Sequence, residues 1–421
     1  MIFSKLLAVF LLLLPTQLSR HFWLKDSYLF GLKIDYLSPT FYLQDALFFL
    51  LVFFWLRNGS WKKLNSKIWR FGLVFFLIAA LNMAFSPTPL VSLFFWLRVT
   101  ELFFLGLIIF QNHSKVFSLL GKILPWVLIW EFFLGLAQVL KSSSLGGFFW
   151  FLGERSFNLF TPGIARAAWR GKILLRPYGT FSHPNSLAGF ALISLILILG
   201  KERLLRKDKL GLLAGGALIL LSFSRTVWLT AFVLGLVFLI TRLVKAWGRK
   251  AFPLTFSYLS VIFFLLLSLY FFSQTTIDPA SFQRRKDLAE FALTSIRQKP
   301  IFGVGGNHFI ISLAQARPVW QWLYWLQPVH NIFLLVASEL GLLGLLFFAF
   351  LIFKSLNSLF VICDSPATAE RKRQAWALAV ALIAILLTGL FDHYWLTLIQ
   401  NQLLLVIIFS LSIAATSDKI S

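Results

Sequence analysis

The chain has 421 residues, of which 59% are hydrophobic and only 13% are charged, whereas about 25% are charged in an ordinary soluble domain. This composition indicates a membrane protein and excludes a large soluble domain, because spanning helices of about 20 residues each use most of the chain. The 39 Lys and Arg outnumber the 16 Asp and Glu, but they cluster in loops between apolar segments, which argues against nucleic-acid binding. The single cysteine, Cys363, excludes an intrachain disulfide and a multi-thiolate metal site.

Apolar segments predict an all-α polytopic membrane protein with about twelve spanning helices. Residues 2–18 resemble a signal peptide, but no small-residue cleavage site follows before Arg20, so we predict a retained first helix. The other predicted spans are 41–56, 71–85, 90–110, 123–140, 184–199, 210–223, 226–241, 254–272, 329–352, 376–391 and 395–413. We expect residues 1–421 to form a single integral membrane domain.

Basic residues predict the orientation of these helices. Lys and Arg are concentrated in five short loops, at 57–70, 111–122, 201–209, 242–250 and 354–373. The positive-inside rule places these loops in the cytoplasm, and an even number of helices places both termini there. Two long segments, 141–182 and 273–328, are then extracytoplasmic. Their length, their tryptophans and their helical periodicity favour a functional role.

Two arginines on the predicted outer side need a partner, a water-filled cavity or a role. Arg225 lies in a hairpin whose apolar arms are too short to cross the hydrocarbon core, so the hairpin should be sunk below the outer surface. Arg285 lies at the centre of the apolar stripe of a predicted outer helix over 281–299. Both could bind a recessed anion. The alternatives are a snorkelling Arg225 and a basic amphipathic helix that rests on lipid.

His330 is the candidate general base, since it lies at the outer mouth of the predicted helix 329–352 and its side chain type titrates near neutral pH. The alternative is a satisfied hydrogen-bonding histidine at a helix start. Glu131 lies within an apolar segment, and the sequence offers no partner for it. A tryptophan cluster at 320–325 could stack on sugar rings, although an interfacial aromatic belt is the commoner use.

Neither a metal nor a cofactor is expected. The sequence has no Asp-x-Asp pair, no Walker-type phosphate loop and no His/Cys metal spacing. A guanidinium binds phosphate through paired hydrogen bonds without a cation. An anionic lipid headgroup is therefore a better candidate ligand than a nucleotide.

Four motifs follow one another along residues 176–352. They are Arg176-Pro-Tyr-Gly-Thr-Phe-Ser-His-Pro-Asn-Ser-Leu-Ala188, then Ser222-Phe-Ser-Arg225, then Arg285 placed 15 residues before Pro300 of Pro-Ile-Phe-Gly-Val-Gly305, then His330-Asn-Ile-Phe-Leu with Glu339 and Gly341. In type and order these motifs resemble those of the O-antigen ligase and polysaccharide polymerase superfamily. The flanking segments agree with that superfamily only in hydropathy.

The resemblance implies a helical bundle of the GT-C glycosyltransferase class, with the outer segment 273–328 as a lid. It implies a metal-independent, inverting transferase on the outer face of the cytoplasmic (inner) membrane. The donor would be a glycan on an undecaprenyl-diphosphate carrier, and the acceptor would be a hydroxyl group. The implied roles are diphosphate binding by Arg225 and Arg285, base catalysis by His330, and support by Arg176, His183, Asn185, Gly303, Gly305 and Asn331. The role of His308 stays open.

Several readings remain open at this stage. The acceptor could be a lipid, a growing glycan or a protein, so ligase, polymerase and protein O-oligosaccharyltransferase are alternatives. A polyprenol-linked glycan flippase or other transporter is a further alternative without covalent chemistry. Transporters place polar sites near the bilayer midplane, whereas the polar candidates here gather on the outer side.

Overall fold

The computed structural model describes residues 2–169, 171–246, 266, 279–316 and 326–416. In chain order the helices are α1 (Ile2–Leu12), α2 (Leu43–Arg57), α3 (Ser66–Ala84), α4 (Pro89–Gln111), α5 (His113–Lys141), α6 (Phe148–Phe151), α7 (Pro184–Leu199), α8 (Arg206–Leu221), α9 (Arg225–Ala246), α10 (Pro279–Gln298), α11 (Phe309–Ala316), α12 (Ile332–Asp364), α13 (Ala369–Gly389), α14 (Tyr394–Thr397) and α15 (Ile399–Ala414). The strands are β1 (Ser19–His21), β2 (Tyr28–Leu29), β3 (Leu32–Lys33), β4 (Thr40–Tyr42), β5 (Arg166–Trp169) and β6 (Lys172–Leu175).

The prediction of a helical membrane protein is confirmed. Five helices of the described part, α3, α4, α5, α12 and α13, are long and apolar enough to cross a membrane. Shorter apolar helices include α1, α7, α9 and α15. The total of about twelve spans stays a prediction, because the segment 254–272 lies, apart from residue 266, outside the described residues.

Two predicted cytoplasmic loops are wrong in extent. The loop 111–122 is almost entirely helical, since α5 begins at His113, directly after Asn112 at the end of α4. The loop 354–373 is helical as far as Asp364. Hydropathy marks the part of a helix that lies in hydrocarbon, whereas backbone hydrogen bonds continue the helix into polar sequence.

The chain divides into two compact units. The first contains Met1–Leu120, Asp278–Ala367 and Gly389–Ser421, and the second contains Gly121–Ile277 and Thr368–Thr388. In the first unit, α10 packs through Leu288, Phe291 and Ala292 into a core shared with α11 and the start of α12. This packing confirms the helix predicted over 281–299, with Phe291 added to its buried face. Its outer placement stays a prediction.

Residues 19–42 of the first unit form two ribbons that the sequence analysis did not predict. Strand β1 pairs antiparallel with β4, with Ser19 opposite Tyr42, and β2 pairs with β3. The β1–β4 pairing holds the segment that follows α1 beside the start of α2. The strands are only two or three residues long, so their alternation is too short to give a periodic signal.

In the second unit, α7 lies against α8 and α9. Gly215 of α8 permits close packing, because a Cβ there would lie 2.8 Å from the side chain of Leu195. The segment 141–182, which is predicted to be extracytoplasmic, carries α6 and the antiparallel ribbon β5–β6. It is therefore a structured region rather than a simple connection.

Candidate functional site

His330 lies at the entrance of α12, immediately before the residue that caps this helix. The side-chain oxygen of Asn331 accepts hydrogen bonds from the backbone N–H groups of Phe333 and Leu334, at 2.9 and 3.0 Å. An asparagine at this position satisfies the first free donors of a helix. The Asn331 Nδ2 group also donates to the carbonyl of Leu390 at 3.1 Å. The start of α12 is thus attached to the segment that follows α13.

The segment 390–393 brings His330 next to an acidic residue. Nδ1 of His330 lies 3.5 Å from Oδ1 of Asp392, an ion-pair distance. The ring of His330 also lies 5.0 Å from the ring of His393, centroid to centroid. Asp392 and His393 are buried. The sequence analysis did not select Asp392, although a polar Asp-His pair between two apolar runs was a usable signal.

Arg285 of α10 contacts the same segment. Its Nη1 group donates a hydrogen bond of 2.7 Å to the carbonyl oxygen of Phe391. The structure therefore brings Arg285 and His330 to two consecutive residues, Phe391 and Asp392. Arg284, the neighbour of Arg285, has a buried Nε that finds no hydrogen-bond partner among the described residues.

The carboxylate of Asp392 is held in its charged form. Burial raises the pKa of a carboxyl group, but here His330, His393 and Arg285 supply opposing positive charge and hold the pKa of Asp392 well below its ordinary value. The Nδ1 atom of His330 is buried and forms no hydrogen bond within the described part of the chain, so its 3.5 Å contact with Asp392 is an ion-pair contact.

A second histidine and a tyrosine extend this cluster. Nδ1 of His393 lies 2.7 Å from Oγ1 of Thr397, and the ring of Tyr36 meets the ring of His393 edge to face, with centroids 5.6 Å apart. One ligand atom each of His330, Asp392 and His393 lie within 4.8 Å of one another, so these residues could hold a metal ion. The expectation of metal-free chemistry therefore stays a prediction.

The loop between α10 and α11 is fastened to the first third of α12. Gly303 and Gly305 have positive φ, at 72° and 108°. The Gly305 N–H donates to the carbonyl of Glu339 at 3.0 Å, and a Cβ on Gly303 would lie 2.3 Å from that same oxygen. Only glycine tolerates both this backbone conformation and this approach. At the facing position Gly341 breaks the regular helix, with φ 66° and ψ −165°.

Asn82 of α3 also holds this loop, through hydrogen bonds made by both its Nδ2 and its Oδ1 atoms. Its Nδ2 donates to the carbonyls of Phe302 and Glu339, at 2.7 and 2.9 Å. Its Oδ1 accepts from the Gly306 N–H and from Nε1 of Trp96, both at 2.9 Å. A fully bonded buried amide is rigid and specific. Asn82 therefore fixes the loop that leads from the Arg285 helix to α11 against the helix that begins after His330.

His308 belongs to this region and not to the cluster around His330. It is fully buried, its Nδ1 finds no partner among the described residues, and its Nε2 lies 3.3 Å from Oγ1 of Thr88. Burial lowers the pKa of His308 to about 4, against a small opposing effect of Asp26. His308 is thus a neutral packed residue at ordinary pH.

Arg225 lies in the second unit, as the first residue of α9. It follows a buried turn, Ser222 to Ser224, in which Phe223 has a φ of 51°. The Nε of Arg176 donates to the Ser222 carbonyl at 2.6 Å, and its Nη2 donates to Oδ1 of Asn185 at 2.5 Å. Arg176 thereby connects the Arg225 turn to the start of α7.

Polar residues of α5 hold the motif segment that carries Arg176. Gln138 accepts from the N–H groups of Tyr178 and Gly179 and donates to the Gly179 carbonyl. Glu131, for which the sequence offered no partner, accepts from the N–H and the hydroxyl of Thr180, at 3.0 and 2.6 Å. His183 caps α7 through its Nδ1, which accepts from the Asn185 N–H at 3.1 Å.

The predicted site residues thus fall into two groups. Arg285, His330 and Asn331 meet at the segment 390–393 of the first unit, and Gly303 and Gly305 support the loop after α10. Arg176, His183, Asn185 and Arg225 form a hydrogen-bonded region of the second unit. The convergence of Arg225 with the first group stays a prediction. The tryptophan cluster at 320–325 lies outside the described residues.

One comparison with known proteins gives a match. Residues 210–349 match the protein family described as O-antigen ligase. The matched residues make up one third of the chain and include Arg225, Arg285 and His330. The match agrees with the resemblance of the last three motifs to that superfamily, whereas the first motif, Arg176–Ala188, lies outside the matched residues. No curated protein matches the chain.

Proposed function

We propose that this multi-pass membrane protein, which carries an O-antigen ligase domain at residues 210–349, transfers a glycan from an undecaprenyl-diphosphate carrier to an acceptor hydroxyl. The reaction takes place on the outer face of the cytoplasmic membrane and requires no metal. Arg285 and His330 contact two consecutive residues of one segment, Phe391 and Asp392, and this arrangement is the main support for the proposal. It puts an anion-binding group and a base within reach of one substrate.

Arg285 and Arg225 bind the donor diphosphate. A guanidinium offers parallel N–H groups to two phosphate oxygens and keeps its charge at every physiological pH. As the sugar–oxygen bond breaks, negative charge grows on the leaving diphosphate, and fixed positive groups stabilise that charge. The carbonyl of Phe391 holds the Arg285 side chain, so little side-chain freedom is lost when the donor binds.

His330 removes the proton from the acceptor hydroxyl. The acceptor oxygen attacks the anomeric carbon from the face opposite the diphosphate, which inverts the configuration at that carbon. Proton removal in the transition state by a positioned histidine contributes about 10² to 10⁴ in rate. Asp392 is a positioning residue in this scheme, because its charge stabilises the imidazolium that forms at His330.

The topology is part of the same proposal. Both termini and the basic loops lie in the cytoplasm, and the segments 141–182 and 273–328 lie outside. The helices form a bundle of about twelve spans of the GT-C class, and the segment 273–328 covers the donor as a lid. The presence of two ordered helices, α10 and α11, in that segment supports a folded lid.

Reconstitution of the purified protein with a synthetic undecaprenyl-diphosphate glycan tests the function. Lipid, glycan and peptide acceptors are supplied separately, and the product mass distinguishes a ligase, a polymerase and a protein O-oligosaccharyltransferase. The anomeric configuration of the product, read by NMR, must be inverted. Movement of intact donor across the bilayer without a new glycosidic bond would support a flippase and overturn the transferase proposal.

His330→Ala is the matching variant. It should lose transfer while it retains donor binding, measured with radiolabelled donor. His113→Ala is the control, because His113 lies at the opposite, cytoplasmic end of the predicted topology and bonds the Phe110 carbonyl. Unchanged turnover in His330→Ala would refute the role of His330 as the base.

A further inference from the structure

An exposed aromatic cluster lies on the outer segment 141–182. Helix α6 presents Phe148, Trp150 and Phe151, with exposed fractions of 70%, 48% and 63% in the described part of the chain. Contiguous exposed apolar side chains on a folded protein mark an interaction surface. Aromatic side chains are typical of the membrane–water interface, where one end of the ring is apolar and the other is wet.

The position of α6 along α5 puts this cluster at the depth of the outer leaflet. Phe149 stacks on Trp130 of α5, with ring centroids 6.0 Å apart. Trp130 precedes the end of α5 at Lys141 by about 16 Å at 1.5 Å per residue. The predicted span 123–140 places Lys141 at the outer edge of the hydrocarbon core and Trp130 within the core. Helix α6 therefore folds back along α5 beside Trp130, which is 39% exposed.

Polar contacts pin both ends of this short segment to α5. The carboxylate of Glu154 accepts from the N–H groups of Leu145 and Gly146, at 2.8 and 2.7 Å, and from Nε2 of Gln138 at 2.8 Å. Gly146 and Gly147 have positive φ, which lets the chain turn into α6. The aromatic residues cannot leave this position without breaking the buried contacts of Glu154.

The charge around the cluster is positive. Glu154 is the only acidic residue of the segment 141–182, and its charge is buried and hydrogen-bonded. Lys141 and Arg155, which flank the pinned segment, are both exposed. Basic residues next to inserted aromatic side chains suit anionic phospholipid headgroups.

We propose that residues 145–154 form an interfacial anchor, in which the aromatic side chains of α6 insert into the outer leaflet and Lys141 and Arg155 bind anionic phospholipid headgroups. This inference rests on the proposed outward orientation of the segment 141–182 and not on the transferase activity. Gln138 donates to Glu154 of the anchor and also to the carbonyl of Gly179. The anchor thereby fixes the depth of the motif segment that carries Arg176.

The lone cysteine makes a clean labelling experiment available. In a Cys363→Ser background, Phe151→Cys is labelled with the environment-sensitive fluorophore NBD, and the protein is reconstituted into phosphatidylethanolamine vesicles containing phosphatidylglycerol. Ala168→Cys is the matched control, because Ala168 is an exposed residue of the ribbon β5–β6 on the same outer segment. Trp150→Cys repeats the measurement should Phe151→Cys fold poorly. Doxyl-labelled phospholipids report lipid contact, and aqueous iodide reports water contact.

The anchor predicts that the probe at Phe151 is quenched by shallow doxyl lipids and protected from iodide, while the probe at Ala168 shows the reverse. Quenching of the Phe151 probe by iodide to the extent seen at Ala168 would overturn insertion. Protection from both quenchers would show that protein covers the cluster, which also overturns it. Transfer activity is not needed for either reading.

The binding of anionic headgroups by Lys141 and Arg155 is tested by comparing two phospholipids that carry the same doxyl-labelled acyl chain and different headgroups. At equal mole fraction, doxyl phosphatidylglycerol should quench the Phe151 probe more strongly than doxyl phosphatidylcholine. Lys141→Gln combined with Arg155→Gln should remove this difference and leave insertion unchanged. Equal quenching by the two lipids in the unmodified charge background would refute the binding of anionic headgroups.

Discussion

Replacing Asp392 with asparagine should lower kcat about 30-fold and leave KM for the donor unchanged. The Asp392 carboxylate lies 3.5 Å from Nδ1 of His330. Two unit charges at this distance interact by about 5 kcal/mol at an effective dielectric constant of about 20. Burial of the carboxylate offsets part of this energy. If about 2 kcal/mol remains for the imidazolium in the transition state, its loss corresponds to about 30-fold in rate.

The assay is the initial rate of transfer in proteoliposomes, with donor and acceptor concentrations varied in turn. Asp392→Glu keeps the charge and should retain more activity than Asp392→Asn. Asp364→Asn, which removes an exposed carboxylate at the end of α12, is the matched control and should behave like the unmodified protein. A kcat for Asp392→Asn within about threefold of the unmodified value would refute the charge stabilisation of His330.

Four further outcomes are expected. Arg225→Ala and Arg285→Ala should each abolish transfer without loss of membrane insertion, measured by size-exclusion chromatography of the solubilised protein; normal turnover in either contradicts the anion site. Folding lowers the pKa of His308 to about 4, so as the pH falls the imidazole is protonated in the unfolded chain before it is protonated in the folded protein. The free energy of unfolding should therefore decrease by about 2 kcal/mol between about pH 6.5 and 5. The unfolding temperature of His308→Asn should depend less on pH over this range than that of the unmodified protein. An equal pH dependence in the two proteins would contradict burial of His308 as the cause. Gly303→Ala should destabilise by about 3 kcal/mol or more, whereas Gly163→Ala, at a similar φ with no atom within 4 Å, should cost about 1 kcal/mol; equal unfolding temperatures would contradict the close approach. EDTA should leave the rate unchanged, and inhibition reversed by Mg²⁺ or Mn²⁺ would replace the metal-free mechanism with one that uses the His-Asp-His group.

Much of the helical framework could be predicted from the sequence, because the bilayer demands long apolar runs. The predicted span 184–199 coincides with α7, and periodicity placed Leu288 and Ala292 on the buried face of α10. Helix ends were predicted less well, since α5 begins about ten residues before its apolar run, at His113. The ribbons of residues 19–42 gave no signal, because their strands are only two or three residues long and β1 pairs with β4 across a long connection.

The candidate site was only partly predictable, because its decisive contacts join residues far apart in the chain. Sequence type and motif order selected Arg285 and His330, but nothing local to His330 points to Asp392. The carboxylate of Glu131 meets Thr180 across 49 positions in the same way. Hydropathy identifies a buried polar residue as unusual, and only the folded structure identifies its partner.

The fastening of the Gly303 loop to the first third of α12 has a consequence for turnover. Asn82 and the glycine contacts hold the loop after α10 in place, and Arg285 and the start of α12 both bond to residues 390–391. The guanidinium and the imidazole should then keep a constant spacing while bulky saccharides enter and leave. Any movement of the proposed lid that admits a long polymer should therefore spare this loop and its contacts, which act as a stationary wall.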